Sequence, residues 1–271
     1  MELRKSALAL LLCVLAWPAA ATVRGEEIEY RDDGTLLRGY VAYDDALAGP
    51  RPGVLVVHEW WGHNDYVRRR ARMLAAAGYV ALALDMYGEG RQAAHPDDAR
   101  TFASAVGGDP ALARRRFEAA LAVLRAHPRT DPRRIAAIGY CFGGGIVLNM
   151  ARAGADLAAV ASFHGSLAPR VPARPGAIRA RILVFTGGAD PFVPPEQVEA
   201  FRKEMDAARA DYRVVVYPGA RHSFTNPAAD EYARRFGLPL AWDPEADRDS
   251  WRQLLEFLRE TFSGASFRKD G

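Results

Sequence analysis

The chain has 271 residues, of which 49% are hydrophobic and 25% are charged, a length and composition typical of a globular protein rather than a disordered or fibrous one. Its 36 lysines and arginines against 33 aspartates and glutamates give a formal net charge of +3, which is too small to favour nucleic acid or a membrane surface as the main partner. Two arginine clusters, Arg68–Arg70 and Arg114–Arg116, have helical surroundings and are expected to lie on solvated helix faces.

The first 21 residues have the organisation of a secretory signal peptide. Two basic residues precede the apolar run Ser6–Trp17, which is too short for a comfortable membrane span. The small residues of Pro18–Ala21 are of the kind that a signal peptidase needs. We therefore expect cleavage near Ala21, a secreted or periplasmic protein without stable membrane contact, and one domain over residues 22–271. An uncleaved anchor is the alternative.

The rest of the chain alternates between strand and helix patterns. Short apolar runs rich in valine, such as Pro52–Glu59, are typical of strands buried on both faces. This alternation predicts a single α/β domain with a mostly parallel central sheet and helices on both faces. In chain order the predicted elements are strands Glu26–Arg31, Thr35–Tyr43 and Pro52–Glu59, helix Tyr66–Tyr79, strand Tyr79–Asp85, helices Pro96–Val106 and Pro110–His127, strand Arg134–Tyr140, helix Gly143–Ala153, strands Leu157–Gly165 and Arg181–Asp190, helix Pro195–Ala208, strand Tyr212–Gly219 and helix Ser250–Phe262.

Residues capable of chemistry collect at the ends of the predicted strands. Glu59, Cys141, Asp190 and His222 each follow a different strand, and His164 ends another. In an open parallel sheet, ligands bind outside the carboxyl ends of the strands. The sequence therefore predicts a candidate site at this edge of the sheet.

Cys141 lies in a Gly-x-Cys-x-Gly pattern, which is the cysteine version of the nucleophile elbow. A sharp strand-to-helix turn strains the nucleophile's backbone, and only glycine leaves room at Gly139 and Gly143. The following helix would direct its amides and its positive dipole end at the sulfur, which favours a thiolate. The other cysteine, Cys13, leaves with the expected signal peptide, so Cys141 would be the only thiol of the mature protein.

A thiolate nucleophile needs a proton partner, and that partner must be oriented. Asp190 and His222 follow Cys141 in the order nucleophile, acid, base, which is the order of α/β-hydrolases. This order predicts a Cys141–His222–Asp190 triad. The alternative is a structural cysteine, a surface histidine and a turn-forming aspartate before proline.

Five motifs together resemble the dienelactone hydrolase family of the α/β-hydrolase superfamily. They are "VVHEWWG", "ALDMYG", "GYCFGG", "GGADPFVP" and "GARHSF". The resemblance implies a single-domain α/β-hydrolase fold and a cysteine-dependent hydrolase of carboxylic esters or lactones that needs no cofactor. It also implies that Cys141, His222 and Asp190 form the triad and that Glu59 contacts the resting thiol and helps to ionise it when substrate enters. The amides of Phe142 and Trp60 match the family's oxyanion hole.

The substrate pocket departs from the family pattern. Asn226 stands where the best-characterised members carry an arginine that holds the substrate carboxylate, and Arg91 lies near a second such position. Trp61 and His164 are further pocket candidates, although Trp61 also fits a core aromatic and His164 a simple strand end. These departures leave the physiological substrate open.

The segment "HEWWGH" invites a zinc interpretation that its spacing opposes. Zincins place two histidines four apart on one helix face, whereas His63 follows His58 by five residues in a loop. We therefore expect no metal, and a small-molecule ester or lactone as the partner, with a monomer favoured. Two alternatives remain on sequence alone, namely a hydrolase-fold binding protein with low turnover and a thiol-sensing protein.

Overall fold

A computed structural model describes residues 22–264, so the expected signal peptide and its cleavage site lie outside the described residues. Eight strands and seven helices alternate over this part of the chain. In chain order they are β1 Val23–Asp32, β2 Thr35–Asp44, β3 Arg51–Val57, α1 Asp65–Ala76, β4 Val80–Leu84, α2 Pro96–Gly107, α3 Pro110–Ala126, β5 Thr130–Tyr140, α4 Phe142–Arg152, β6 Ala159–Phe163, β7 Arg181–Gly187, α5 Pro195–Ala208, β8 Tyr212–Tyr217, α6 Ala229–Phe236 and α7 Pro244–Ser263.

All eight strands form one sheet in the order β1-β2-β4-β3-β5-β6-β7-β8. The pairs β1–β2 and β2–β4 are antiparallel, and every other neighbouring pair is parallel. The predicted fold class, a single α/β domain with a mostly parallel sheet, is confirmed. The parallel strands place their carboxyl ends along a common edge, where the candidate site lies.

Helices cover both faces of the sheet and divide the core into two layers. Along β3, Leu55 and Val57 face one layer and Val54 and Val56 the other, and all four side chains are fully buried. The first layer is closed by α2, α3, α4 and α5, and the second by α1 and α7. A strand buried on both faces has no polar alternation, which explains its continuous valine-rich sequence.

The structure differs from the predicted elements after β8. Helix α6 was not predicted, and α7 begins at Pro244 rather than at Ser250. The start of α7 has a local cause, because the Asp243 side chain accepts hydrogen bonds from the amides of Glu245 and Ala246 and proline occupies the first helical position. The segment between these two helices supplies Leu238 and Leu240 to the wall of a cavity described below.

Both arginine clusters were expected to lie on solvated helix faces, but each contains one buried arginine. Arg70 is 3% exposed and donates to the carbonyl of Thr225 and to Asp247 of α7. Arg116 is 9% exposed and donates to the carbonyl of Met86. The prediction was wrong for these two residues because their acceptors come from other parts of the chain. No helix within residues 22–264 is long and apolar enough to cross a bilayer.

Candidate active site

Cys141 stands alone between β5 and α4, in a backbone conformation that L-residues rarely adopt. Its φ is 51° and its ψ is −113°. A Cβ atom at Gly139 would collide with the carbonyl oxygen of Gly143, and one at Gly143 would collide with the carbonyl of Val57. The nucleophile elbow (Gly139–Gly143) therefore has the strain and the close packing that its glycine spacing predicts.

A hydrogen-bonded line joins three side chains from three strand ends. The Nε2 atom of His222 lies 3.1 Å from Sγ of Cys141, and its Nδ1 atom lies 2.8 Å from Oδ2 of Asp190. The other carboxylate oxygen of Asp190 accepts from the amide of Phe192 at 2.8 Å, which fixes the carboxylate. Because Nδ1 donates to Asp190, Nε2 is the nitrogen placed where it could exchange a proton with the sulfur.

The surroundings of His222 favour its protonated form. Burial is the largest single influence and lowers its pKa, but the negative charge of the Cys141 thiolate and the hydrogen bonds to Asp190 and Cys141 outweigh it. The net effect raises the pKa of His222 to about 10. His222 is therefore protonated at neutral pH, with Nε2 facing the sulfur of Cys141.

The two oxyanion candidates lie beside the thiol. The amide of Gly143 donates to the carbonyl of His58 at 3.1 Å, which ties the start of α4 to the loop after β3. Within residues 22–264, the amides of Phe142 and Trp60 have no protein acceptor, and both residues line the same cavity as Cys141. Two unpaired amides next to a nucleophile can stabilise a developing oxyanion.

The hydrogen bonds of the Glu59 carboxylate go to residues other than Cys141, in contrast to the contact that the family resemblance implies. Its carboxylate is 2% exposed, accepting from Ser223 Oγ at 2.9 Å and from Asn226 Nδ2 at 2.6 Å. Burial raises the pKa of the Glu59 carboxyl, and the two hydrogen bonds oppose that rise. Within the described chain, the side chain hydrogen-bonded to Sγ is that of His222.

A cavity of about 460 Å³ opens over the thiol. Most of its wall is apolar, and α4 contributes one helix face over two turns, from Cys141 to Asn149. Its volume is that of a site for a small organic molecule. The lining residues are Trp60, Arg100, Ala103, Ser104, Gly107, Gly108, Cys141, Phe142, Gly145, Ile146, Asn149, Ser166, Ala168, Arg170, Phe192, Val193, His222, Leu238 and Leu240.

Two of the four predicted pocket residues, Trp61 and Arg91, lie away from this wall. Trp61 is 2% exposed and stacks on Tyr232 and Phe236 of α6, with ring centroids 4.3 and 5.9 Å away. It is the core aromatic of the alternative interpretation. Arg91 is solvent-exposed and pairs with Glu89 at 3.2 Å. Neither residue lines the cavity, which is a correction to the predicted pocket.

The other two predicted pocket residues, His164 and Asn226, are buried behind the site. His164 is fully buried, and its Nε2 lies 2.8 Å from Oγ1 of Thr225. Burial is the main cause that lowers the pKa of His164 well below its usual value, which keeps it neutral. The side-chain amide of Asn226 donates a hydrogen bond to Glu59. Both support the loop that carries His222 and do not line the cavity.

Sequence reasoning missed the charged and apolar residues of the cavity wall. Arg100, Ser104 and Gly107 lie on one face of α2 and line the cavity. Their helical spacing is visible in the sequence, but it does not indicate a binding site unless the opposite wall of the cavity is known. Leu238 and Leu240 follow the unpredicted helix α6. No local signal distinguishes these two leucines from core residues.

The histidines of "HEWWGH" bind backbone groups. His58 donates from Nδ1 to the carbonyl of Glu59 at 2.6 Å and accepts the amide of Met86 at Nε2, and burial lowers its pKa to about 4. His63 Nε2 lies 3.0 Å from the carbonyl of Ala83. Over residues 22–264, the structure shows no group of three or more His, Cys, Asp or Glu residues placed to hold a metal ion.

Comparison with known proteins gives a consistent result. The model of the dienelactone hydrolase family matches residues 37–262. "Protein usf" of Aquifex pyrophilus is 28% identical over 87% of this chain and 98% of its own. A Yersinia pestis protein named "Putative carboxymethylenebutenolidase" is 27% identical over 84% of this chain and 85% of its own. The crystal structure of a dienelactone hydrolase-like promiscuous phosphotriesterase from metagenomic libraries is 37% identical, with a TM-score of 0.81, over 88% of this chain and 98% of that one.

Proposed function

The chain belongs to the dienelactone hydrolase family and is a hydrolase of carboxylic esters or lactones, and we propose that it works through a Cys141–His222–Asp190 triad and a thioester intermediate. The observation that carries this proposal is the line from Sγ through His222 to Asp190, with distances of 3.1 and 2.8 Å. The sulfur at one end of this line belongs to a thiol that lines the cavity. The small-molecule substrate enters there.

The first half of the reaction forms the thioester. The Cys141 thiolate attacks the carbonyl carbon, an S–C bond forms, and the carbonyl electrons move to the oxygen. The amides of Phe142 and Trp60 hold that oxyanion. When it collapses, the C–O bond to the leaving group breaks, and His222 Nε2 gives its proton to the departing alkoxide.

The second half returns the enzyme to its starting state. Neutral His222 takes a proton from water, and the hydroxide attacks the thioester carbonyl at the same oxyanion site. The C–S bond then breaks, the acid product leaves, and Cys141 is again a thiolate beside an imidazolium. Asp190 holds the imidazole orientation through both steps.

An activated ester tests the proposal directly. We expect p-nitrophenyl acetate to be hydrolysed with a burst of p-nitrophenol, and the acyl-enzyme mass to appear on Cys141. Cys141→Ala should lose turnover by at least about 10³-fold while keeping the wild-type fold by circular dichroism. Equal turnover by the two proteins would refute a cysteine mechanism. A phosphotriester belongs in the same panel, because a relative of known structure is named for that activity.

Thiol reactivity separates hydrolysis from the two alternatives. An ion-paired Cys141 should react with iodoacetamide at pH 6 much faster than a free cysteine, whose pKa is about 8.5. A binding protein with an inert thiol would react slowly and without this low-pH component. In a thiol-sensing protein, Cys141→Ser would abolish the redox response. Any esterase activity of that protein would be unchanged, because it would not depend on Cys141.

Export is a separate part of the proposal. The apolar run Ser6–Trp17 and the small residues that follow it support a cleaved signal and a secreted or periplasmic protein. Expression of the full chain with subcellular fractionation and intact-mass measurement tests this point. A mature mass lacking about the first 21 residues, in the exported fraction, is expected. A full-length protein confined to the cytoplasm would contradict it.

A further inference from the structure

The cavity over the thiol follows one face of α4. Cys141, Gly145 and Asn149 all line it, and their spacing of four residues places them one above the other along the helix. The helix rises by about 12 Å from Cys141 to Asn149. A molecule bound in the cavity can therefore extend well beyond the carbonyl group that the thiol would attack.

A loop between β6 and β7 forms a second wall beside α4, to which it contributes Ser166, Ala168 and Arg170. Side chains from two helices hold the backbone of this loop. The side-chain oxygen of Asn149 in α4 accepts from the amide of Arg170 at 2.9 Å, and that of Gln197 in α5 accepts from the amide of Ala168 at 3.2 Å. The two walls are therefore joined to each other, as in a preformed ligand site.

Gly145 is a glycine that close packing does not require. A Cβ atom at Gly143 or Gly144 would collide with backbone atoms outside α4, whereas a Cβ at Gly145 would have its nearest neighbour, the carbonyl oxygen of Ser166, at 3.5 Å. Glycine also weakens a helix relative to alanine. Because neither sterics nor helix stability accounts for Gly145, the relevant feature is the open space that it leaves in the cavity wall, one turn from the thiol.

Apolar side chains surround this part of the cavity. Ile146 lies next to Gly145 on α4, Ala103 belongs to α2, and Ala168 faces the cavity from the loop. Arg170, which is bound to Asn149 through its amide, is exposed to solvent. The wall therefore suits an aliphatic chain as far as Asn149, and a longer chain would emerge into water at that level.

The two halves of an ester would lie on different sides of the thiol. The leaving group must lie next to Nε2 of His222, from which it takes a proton. Phe192 and Leu240 line the cavity there, since the ring of Phe192 packs edge-on against His222 with centroids 4.9 Å apart and Leu240 forms a β-bridge with His222. The acyl group stays bonded to Sγ of Cys141, at the start of α4.

From this arrangement we propose that the substrate is an ester with an aliphatic acyl chain, that this chain lies along α4 from Cys141 to Asn149, and that Gly145 keeps its path open. An extended alkyl chain advances by slightly less than its bond length of about 1.5 Å at each bond, so roughly eight carbons span this distance. The inference rests on the proposed function, since it names the substrate class of the same site.

Esters of p-nitrophenol with acyl groups of increasing length test the inference with one leaving group. We expect kcat/KM of the wild type to rise by at least about tenfold from acetate to octanoate, because each methylene taken out of water can contribute up to about fourfold. It should level off once the chain passes Asn149. A kcat/KM that is highest for acetate, or that is independent of acyl length, would overturn the inference.

Alkyl acetates lengthen the other half of the ester. From ethyl acetate to octyl acetate we expect kcat/KM to rise by less than about threefold, because the alcohol would lie beside His222 and outside the groove along α4. A rise with alcohol length that exceeds the rise with acyl length would place the chain on the leaving-group side and would contradict the assignment.

Gly145→Leu and Gly145→Ala form a matched pair at the proposed path. Leucine would extend into the cavity, whereas alanine adds one methyl group for which there is room. The octanoate-to-acetate ratio of kcat/KM should fall by at least about tenfold in Gly145→Leu and by less than about threefold in Gly145→Ala. Damage to the triad would lower both esters together and leave this ratio in place, so a wild-type ratio in Gly145→Leu would refute the role of Gly145.

Ala168→Leu decides the question if Gly145→Leu does not fold. Ala168 is solvent-exposed on the loop, so leucine is tolerated there and narrows the same part of the cavity from the facing wall. Its octanoate-to-acetate ratio should also fall, and an unchanged ratio would count against the inference.

Cys141→Ala separates the two levels of proposal. If Cys141→Ala still hydrolyses p-nitrophenyl octanoate, the cysteine mechanism fails. If it is inactive and the wild type shows no preference for acyl length, only the assignment of the acyl chain fails.

Discussion

The nucleophile elbow and the histidine turn (His222–Asn226) each carry one partner of the thiol–imidazole pair, but different forces hold them. In the elbow, Cys141 is set by close backbone packing at Gly139 and Gly143 and by the amide of Gly143, which donates to the carbonyl of His58 just after β3. In the histidine turn, His222 is set by side chains that bond to distant parts of the chain. Glu59 follows β3, and Thr225 contacts Tyr66 of α1 at 2.6 Å and His164 after β6 at 2.8 Å.

This difference teaches how each region should respond to substitution. A collision with the backbone cannot be relieved in part, because main-chain atoms cannot rotate aside as a side chain can. A side-chain hydrogen bond can be weakened, replaced or lost one at a time, at about 1 kcal/mol each. We therefore expect all-or-none effects in the elbow and graded effects in the histidine turn.

The largest effect is expected for Gly143→Ala in the elbow. The new Cβ would meet the carbonyl oxygens of Val57 and His58, so α4 must move away from β3. We expect the free energy of unfolding in urea to fall by about 1 to 3 kcal/mol. Because the thiol and the amide of Phe142 would both shift, kcat/KM for p-nitrophenyl acetate should fall by about 10³-fold or more.

Gly145→Ala is the matched control for stability in the same helix. A Cβ there would have its nearest neighbour, the carbonyl oxygen of Ser166, at 3.5 Å, which is an ordinary contact. Alanine is favoured over glycine within a helix by up to about 1 kcal/mol. Its unfolding free energy should equal or exceed that of wild type. If the two variants lose equal stability, the all-or-none argument for the elbow fails.

An intermediate effect is expected where the two regions meet, at Asp190→Asn. The negative charge of Asp190 is among the influences that hold the pKa of His222 at about 10, so its removal should lower that pKa. The imidazolium that protonates the leaving group would then be lost at lower pH. We expect kcat to fall by about 10²-fold and the alkaline limb of the pH profile of kcat/KM, near pH 10 in wild type, to move down.

The direction in which the alkaline limb of the kcat/KM profile moves is the informative measurement. A profile of kcat/KM from pH 5 to 11 in both proteins locates the limb, with the alkylation rate of Cys141 followed in parallel. An alkaline limb that stays in place or moves upward would show that Asp190 does not act by stabilising the imidazolium. Correct folding of the variant is checked by its urea midpoint.

The same contrast explains what could be predicted from the sequence. The elbow was predictable because its signature is local. Glycines stand two residues either side of Cys141, at the positions where a Cβ would collide with the carbonyl oxygens of Gly143 and Val57. The order of Cys141, Asp190 and His222 at successive strand ends placed three side chains at one edge, because parallel strands share that edge. The strands themselves were predicted because burial on both faces leaves a continuous apolar run.

The environment of the histidine turn was not predictable in this way. Asn226 was a pocket candidate because it stands at the position of a family arginine, and His164 because it ends a strand, yet their side chains face Glu59 and Thr225. Trp61 was ambiguous for the same reason, since its neighbours belong to α6, which was not predicted. Contacts between residues more than 60 positions apart leave no periodic signal in one sequence.

The smallest effect on turnover is expected for Thr225→Val in the histidine turn. Valine keeps the shape of threonine but leaves Tyr66 Oη and His164 Nε2 without their shared partner, Oγ1. We expect the free energy of unfolding to fall by about 1 to 3 kcal/mol because buried polar groups lose their hydrogen bonds. Arg70 still donates to the carbonyl of Thr225 at 2.6 Å, so His222 should stay near its place and kcat should fall only by about tenfold.

Thr225→Ser is the matched control, because serine keeps the hydroxyl and loses only a methyl group. Its kcat should lie between those of wild type and Thr225→Val, and closer to wild type, since the hydrogen bonds to Tyr66 and His164 can still form. A Thr225→Val enzyme with unchanged kcat would show that the backbone contact with Arg70 alone places the turn. A Thr225→Val loss of turnover as large as that of Gly143→Ala would remove the distinction between graded and all-or-none regions, because a turn held by several independent bonds should not fail when two of them are lost.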